Sequence, residues 1–249
     1  FAASGGHGPG ALWRQSRHIL GDLAFFNGTI MRTLTAYKFS KDAKEGTSVV
    51  PDLATDTGRQ SNGAKTWEFT LRDGVTFETG APITCADVKY GVSRTFATDI
   101  ITGGPTYAIS MLDIPDDPKG GSAYKGPYVK TGQDLFDKAV TCSADGKTIT
   151  FNLNRSVADF NYTVTLPAFS PVPQAKDKGT KYKEHVISTG PYMFETNDLG
   201  KSFAMVRNPN WDASTDYRPA YLDEIRIEEG NDDLTVASRR TRGPAGLPP

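Results

Sequence analysis

Proton transfer near neutral pH is the chemistry histidine does most readily, and this chain has three, His7, His18 and His185. Each is isolated, and none belongs to an HExxH or similar frame that would mark a metalloenzyme. No G-x-S-x-G elbow presents a serine nucleophile, and Ser188-Thr189-Gly190 reads as a turn into a strand. Gly103-Gly104-Pro105 and Gly120-Gly121 do not open helices in the way a phosphate cradle requires. The two cysteines, Cys85 and Cys142, form no CxxC or Cys/His cluster, which excludes a thiolate metal site. They are either two buried free thiols in a cytosolic protein or one bridge in a secreted one. A bridge would restrict the unfolded chain by about 4 kcal/mol in the loop-entropy treatment. The expectation is a protein that is not an enzyme, with no catalytic residues, no metal and no cofactor. A hydrolase built on unpatterned residues is the weakest reading.

The elements are easier to read. Trp67, Phe69 and Leu71 alternate with Glu68, Thr70 and Arg72, which puts three large apolar side chains on one strand face. Asp73-Gly74 then predicts a turn, with Val75 and Phe77 resuming the period of two as a returning strand. Thr84 reads as a helix N-cap with Asp87 as its capping-box partner, and Val88, Val92 and Phe96 give that helix one apolar stripe. Upstream, Ile30, Leu34 and MRTLTAYK suggest a helix end turning into a strand. A long Gly-, Pro- and Asp-rich stretch from Ile100 to Gln133 reads as loop. Leu135 and Val140 against Ile149, Phe151 and Leu153 predict a second hairpin about Asp145-Gly146. Val157, Phe160 and Val164 fit a short helix, and LPAFSPVP is a proline-bounded loop or edge. Tyr192 and Phe194 against Phe203 and Met205 predict a third hairpin, and Leu222, Ile225 and Ile227 a final strand.

Composition agrees with a globular α/β protein. Of 249 residues, 37% are hydrophobic and 10% aromatic, enough for a core. No apolar stretch approaches the length that spans a bilayer. A net charge of −1 provides no field to recruit nucleic acid or an anionic membrane. The chain starts at Phe1, which reads as a processed product or a fragment.

Four separated pieces, in order, resemble the family 5 solute-binding proteins of peptide-type ABC importers. They are PDLATD…WEFTLRDGVTFETGAPITCADVKYGVSRTFA, DGKTITFNLNRSVADF, STGPYMFET…FAMVRNPNW and YLDEIRIEEGNDDLTVASR, which cover most of residues 34–239. The CADVKYG wording and the pairing of Cys85 with Cys142 are similar to actinobacterial members, so the resemblance favours the bridge. It implies a mixed α+β fold: lobe I of a type II periplasmic-binding-protein clamp with an extra β-rich subdomain, the second lobe missing. The expected division puts lobe I core segments at 1–44 and 171–230, the extra subdomain at 45–170 and an irregular tail at 231–249. The implied function is extracellular capture of a small peptide or similar solute and its delivery to a membrane ABC permease. The implied protein is a monomer tethered to the outer face of the membrane by a lipid anchor outside this chain. A secreted protein–protein interaction module is the alternative.

Within that fold a cleft is lined by loops, aromatic faces and a few polar groups. Tyr107, in GGPTY, is exposed by context and reads as a ligand-stacking ring or an ordinary surface tyrosine. Phe26 and Asn27 stand where family members often place a ligand-facing loop, with core packing as the other reading. Phe169 and Ser170 offer an aromatic face and a hydroxyl from the proline-bounded loop. Trp211 reads as a packing cap.

Overall fold

The strand β4 (Thr66–Thr70) holds the centre of the molecule because its alternation buries one face: Trp67 and Phe69 point inward while Thr66, Glu68 and Thr70 do not. In the computed structural model, which describes residues 25–102 and 104–228, β4 lies in an antiparallel sheet of order β3-β4-β6-β5. The other members are β3 (Arg59–Ser61), β5 (Val140–Cys142) and β6 (Thr148–Asn152). Trp67 pairs with Phe151 and Phe69 with Ile149, so large apolar side chains meet across the strands.

The expected return of Val75–Phe77 onto Trp67–Leu71 does not form. Both edges of β4 are occupied, by β3 on one side and β6 on the other. Val75 and Phe77 instead close a small loop of their own, with Ile83 N donating to Val75 O at 3.0 Å and Phe77 N to Ala81 O at 2.9 Å. The second hairpin does form, β5 against β6, but only from Val140 onward. Leu135 lies on a helix, Gln133–Ala139, entered through Gly132 at φ 71°. That left-handed entry favours glycine.

The helix α1 (Cys85–Arg94) packs on this sheet through Val88 and Val92, both fully buried. Its first turn is fixed as the sequence requires: Thr84 N donates to Asp87 Oδ2 at 2.9 Å and Thr84 Oγ1 to the same oxygen at 2.6 Å. Cys85 and Cys142 form a disulfide that ties the start of α1 to β5. A smaller layer follows. The strands β7 (Tyr192–Asp198), β8 (Ser202–Arg207) and β9 (Glu224–Glu228) form an antiparallel sheet in that order. Phe194, Phe203 and Met205 pack there with Phe26 of the helical turn at residues 25–29 and with Ile30 just after it. The helical turn leads to β1 (Thr35–Tyr37), paired with β2 (Val49–Pro51). The architecture is mixed α+β.

Between the two layers lies a buried charge cluster. Arg32 Nε donates to Asp52 Oδ1 at 2.7 Å, Arg218 Nη2 to the same oxygen at 2.8 Å, and Arg218 Nε to Asp216 Oδ1 at 2.8 Å. All four side chains are at most 1% exposed. Burial alone would raise the Asp216 carboxyl, but the Arg218 and Arg32 guanidiniums outweigh it and hold it below the usual carboxylate range. Arg32 also reaches Thr215, so the cluster pins residues 32, 52 and 215–218 together.

Candidate functional site

Two close backbone approaches create the site. Gly91 of α1 lies against the Ser170 carbonyl so tightly that a Cβ there would sit 2.0 Å from the oxygen. Val172 N donates to Asp87 O at 3.0 Å, which docks the segment 167–172 along the helix. On the other side Gly190 meets Thr29 O, where a Cβ would stand at 2.4 Å. Ser188 Oγ and the Thr189 amide both donate to Ile30 O, at 3.0 and 2.9 Å. These contacts leave between them a cavity of about 330 Å³, walled by the end of α1, residues 98–102, 104–109, 167–172 and 179–189 and the Ile30-Met31 turn. Its lining alternates apolar groups (Ile30, Ile109, Val172, Ile187) with hydroxyls (Thr95, Thr98, Thr106, Ser170, Thr180). This mix suits a solute with an apolar body and several hydrogen-bonding groups.

Arg94, the last residue of α1, forms part of the wall. Asp177 Oδ2 accepts from Arg94 Nε at 3.1 Å, Tyr90 OH at 2.7 Å and Tyr128 OH at 2.6 Å. Arg94 Nη2 donates to Gly179 O at 3.3 Å, and the guanidinium lies over the Tyr182 ring. Burial pushes the Tyr90, Tyr128 and Tyr182 phenols above their ordinary range, and the Asp177 carboxylate adds to the rise at Tyr90 and Tyr128. Tyr90 and Tyr128 donate to Asp177, while the Tyr182 hydroxyl accepts from the Ile187 amide at 3.2 Å. The network fixes the Arg94 side chain beside the cavity.

The residues singled out from sequence are scattered about this space. Ser170 lines the cavity, and its buried Oγ has no hydrogen-bond partner among the described residues. Tyr107 is 49% exposed and opens a five-residue helix, Tyr107–Met111, whose neighbours Thr106 and Ile109 line the cavity. Ala108 and Leu112 are fully buried and pull that short turn into shape. Phe26 is a core ring against Phe194 and Phe203. Asn27 ties to Thr165 O through its amide at 3.0 Å. Phe169 has no exposed surface and sits edge-on between Phe151 and Phe160, so its face is turned to the core. Trp211 Nε1 donates to Asp216 Oδ2 at 2.8 Å, a fastening for the loop after β8.

The S-x-x-K spacing of some serine hydrolases does occur, at Ser122 and Lys125. Lys125 is engaged by Asp117 at 2.9 Å, and Ser122 Oγ accepts from the Tyr124 amide at 3.2 Å. The lysine is thus paired with a carboxylate and not with the serine. His185 and Glu78 stand 3.0 Å apart with the imidazole exposed, while Glu78 also accepts from the Ser188 amide. His7, His18 and the tail 231–249 lie outside the described residues. Sequence reasoning missed Arg94, Asp177 and Lys183. Arg94 carries a weak signal, a cation in the last turn of a helix, which the helix dipole alone explains.

Comparison with known proteins fits this geometry. The family model for bacterial extracellular solute-binding proteins, family 5, matches residues 48–243. A probable D,D-dipeptide-binding periplasmic protein of Escherichia coli K12 is 26% identical over 186 residues, 72% of this chain and 30% of that protein. An oligopeptide-binding protein of Bacillus subtilis 168 is 23% identical over 193 residues, 76% of this chain and 33% of that protein. The solved clavulanic acid biosynthesis oligopeptide binding protein 2 is 33% identical, with a TM-score of 0.83, over 97% of this chain and 41% of that one. An oligopeptide-binding protein of Listeria monocytogenes, solved with peptide bound, shares the fold at a TM-score of 0.68 and 18% identity, over 95% of this chain and 43% of that one. The chain thus spans about a third of the curated relatives it matches.

Proposed function

The chain belongs to the bacterial extracellular solute-binding proteins of family 5, and from that premise we propose that it captures a small peptide or similar solute and delivers it to a membrane ABC permease. One observation carries the reading: a 330 Å³ cavity of alternating apolar and hydroxyl groups, walled by segments inside the matched residues and by the turn before them. Binding peptides is what the names of several relatives state. In this reading Ser170 and Tyr107 touch the solute, while Phe26, Asn27 and Phe169 support the walls behind them. Lobe I core segments at 1–44 and 171–230 flank an extra subdomain at 45–170, and a second lobe closes over the solute. The protein is a monomer of actinobacterial type, held outside the cell by an N-terminal lipid anchor. The Cys85–Cys142 disulfide supports that compartment, because such bridges persist in oxidising surroundings.

A second reading, a secreted interaction module, is favoured by the exposed rings Tyr37, Phe39 and Tyr162. Titration calorimetry with a pool of short peptides separates the two. Saturable heat with peptides supports capture and delivery. Heat that appears only with a folded protein partner overturns it in favour of the module.

A further inference from the structure

Charge in the cavity has one sign. Among the described lining residues the charged side chains are Arg94 and Lys183, and no carboxylate lines the cavity with them. Arg94 spends Nε on Asp177 and Tyr128 and Nη2 on Gly179, which leaves Nη1 without a hydrogen-bond partner among the described residues. Asp177, 2% exposed at its side chain, lies behind Arg94 and offsets part of its charge. Lys183 has no ion-pair partner among the described residues, so it supplies the uncompensated charge. Ser170 adds a third free group: the residue is 7% exposed and its Oγ is unpartnered. A buried polar atom without a partner costs free energy, and a ligand atom accepting from it removes that cost.

Resting on the solute-binding reading, we infer that this cavity selects solutes bearing a carboxylate, with Lys183 and Arg94 as counter-charges and Ser170 Oγ as a donor to the same group. A protonated amine placed there would meet two cations and no acid in the lining, in a setting of isoleucine and valine side chains where screening by water is weak. The amino end of a peptide is therefore directed elsewhere. The carboxylate has two possible sources, the peptide's C-terminus or an acidic side chain.

Three tripeptide libraries test this by titration calorimetry on the chain: free C-terminal acids, the matching C-terminal amides, and amides carrying one glutamate. The acids are expected to bind about tenfold tighter than the amides, the weight of a hydrogen-bonded charge partly shielded by water. Recovery of that affinity by the glutamate amides assigns the group to a side chain; failure to recover it assigns the group to the C-terminus. Lys183→Gln is expected to erase the acid preference, and Ser170→Ala to reduce it. Equal affinity of acids and amides for the unaltered chain would overturn the inference and leave peptide binding standing. Preference unchanged in Lys183→Gln would overturn the role given to Lys183. No heat from any library would overturn the solute-binding reading and this inference with it.

Discussion

Breaking the Cys85–Cys142 bridge is the perturbation whose size the structure gives most directly. The two cysteines are 57 residues apart, and closing a loop of that size in the unfolded chain is worth about 4 kcal/mol at 25 °C in the entropy treatment. Little in the native contacts offsets that loss. The Cys85 amide still donates to Gly146 O at 3.0 Å, and β5 keeps its register on β6 through Val140 and Thr141. The folded state should therefore survive while the unfolded state gains freedom. Cys85 is fully buried and Cys142 exposed, so Cys85→Ala with Cys142→Ser avoids burying a new hydroxyl. Urea denaturation of the oxidised protein, of the same protein in reductant and of the double variant supplies the comparison. Both bridge-free states should lose about 4 kcal/mol, a large share of a typical domain's stability. Their m-values should rise as well, because an uncrosslinked unfolded chain exposes more surface. Equal stability with and without the bridge would refute the reasoning. So would native protein in which both thiols react without denaturant.

Three further perturbations probe the walls of the site and its foundation. Gly91→Ala drives a methyl into the Ser170 carbonyl, where the Cβ would stand at 2.0 Å, and should cost about 1–3 kcal/mol by overpacking; a neutral result in urea would contradict the close approach of α1 and residues 167–172. Asp216 has its carboxyl held down by Arg218 and Arg32 in the folded protein. A depressed folded value means that its contribution is complete above the unfolded value of about 3.9 and is lost as pH falls below it toward the folded value. Acid titration followed by tryptophan fluorescence should show this loss, and Asp216→Asn should remove that part of the pH dependence; stability that rises on acidification through the same range would contradict it. Asp52→Ala, which leaves two buried arginines with Asp216 as their one carboxylate in the cluster, should cost about 3–5 kcal/mol, and a loss below 1 kcal/mol in urea would show that the cluster is not the fastening described.

The same dipeptide shows what was legible in the sequence and what was not. Asp145-Gly146 makes a hairpin, as its flanking alternation predicts, because β6 has a free edge for β5. Asp73-Gly74 carries the same local signal and makes none, because the strand before it is already paired on both sides. Local chemistry specified the turn, and competition for strand edges decided what the turn joined. The capped helix at Thr84 and the strands β7 to β9 were readable for the complementary reason, since caps and period-two faces are satisfied within a few residues. The site is different in kind. Ile30, Arg94, Thr106, Ser170 and Lys183 come from five separated segments, and no periodicity links them. Phe169 looked available in a proline-bounded loop, yet that loop folds over the sheet and Phe151 and Phe160 enclose the ring. The cluster of Arg32, Asp52, Asp216 and Arg218 spans 186 positions of chain, so its pairing is set by the packed layers alone.

The central claim is that solute sits between α1, residues 98–102 and 104–109, and residues 167–189. Amide hydrogen exchange of the chain with and without a saturating short-peptide pool tests this most directly. Slowed exchange is expected across Thr95–Thr102, Gly104–Ile109, Ser170–Val172 and Gly179–Thr189 with β3 unchanged. Protection confined to Tyr37–Phe39 and Tyr162, or no protection anywhere, would contradict it.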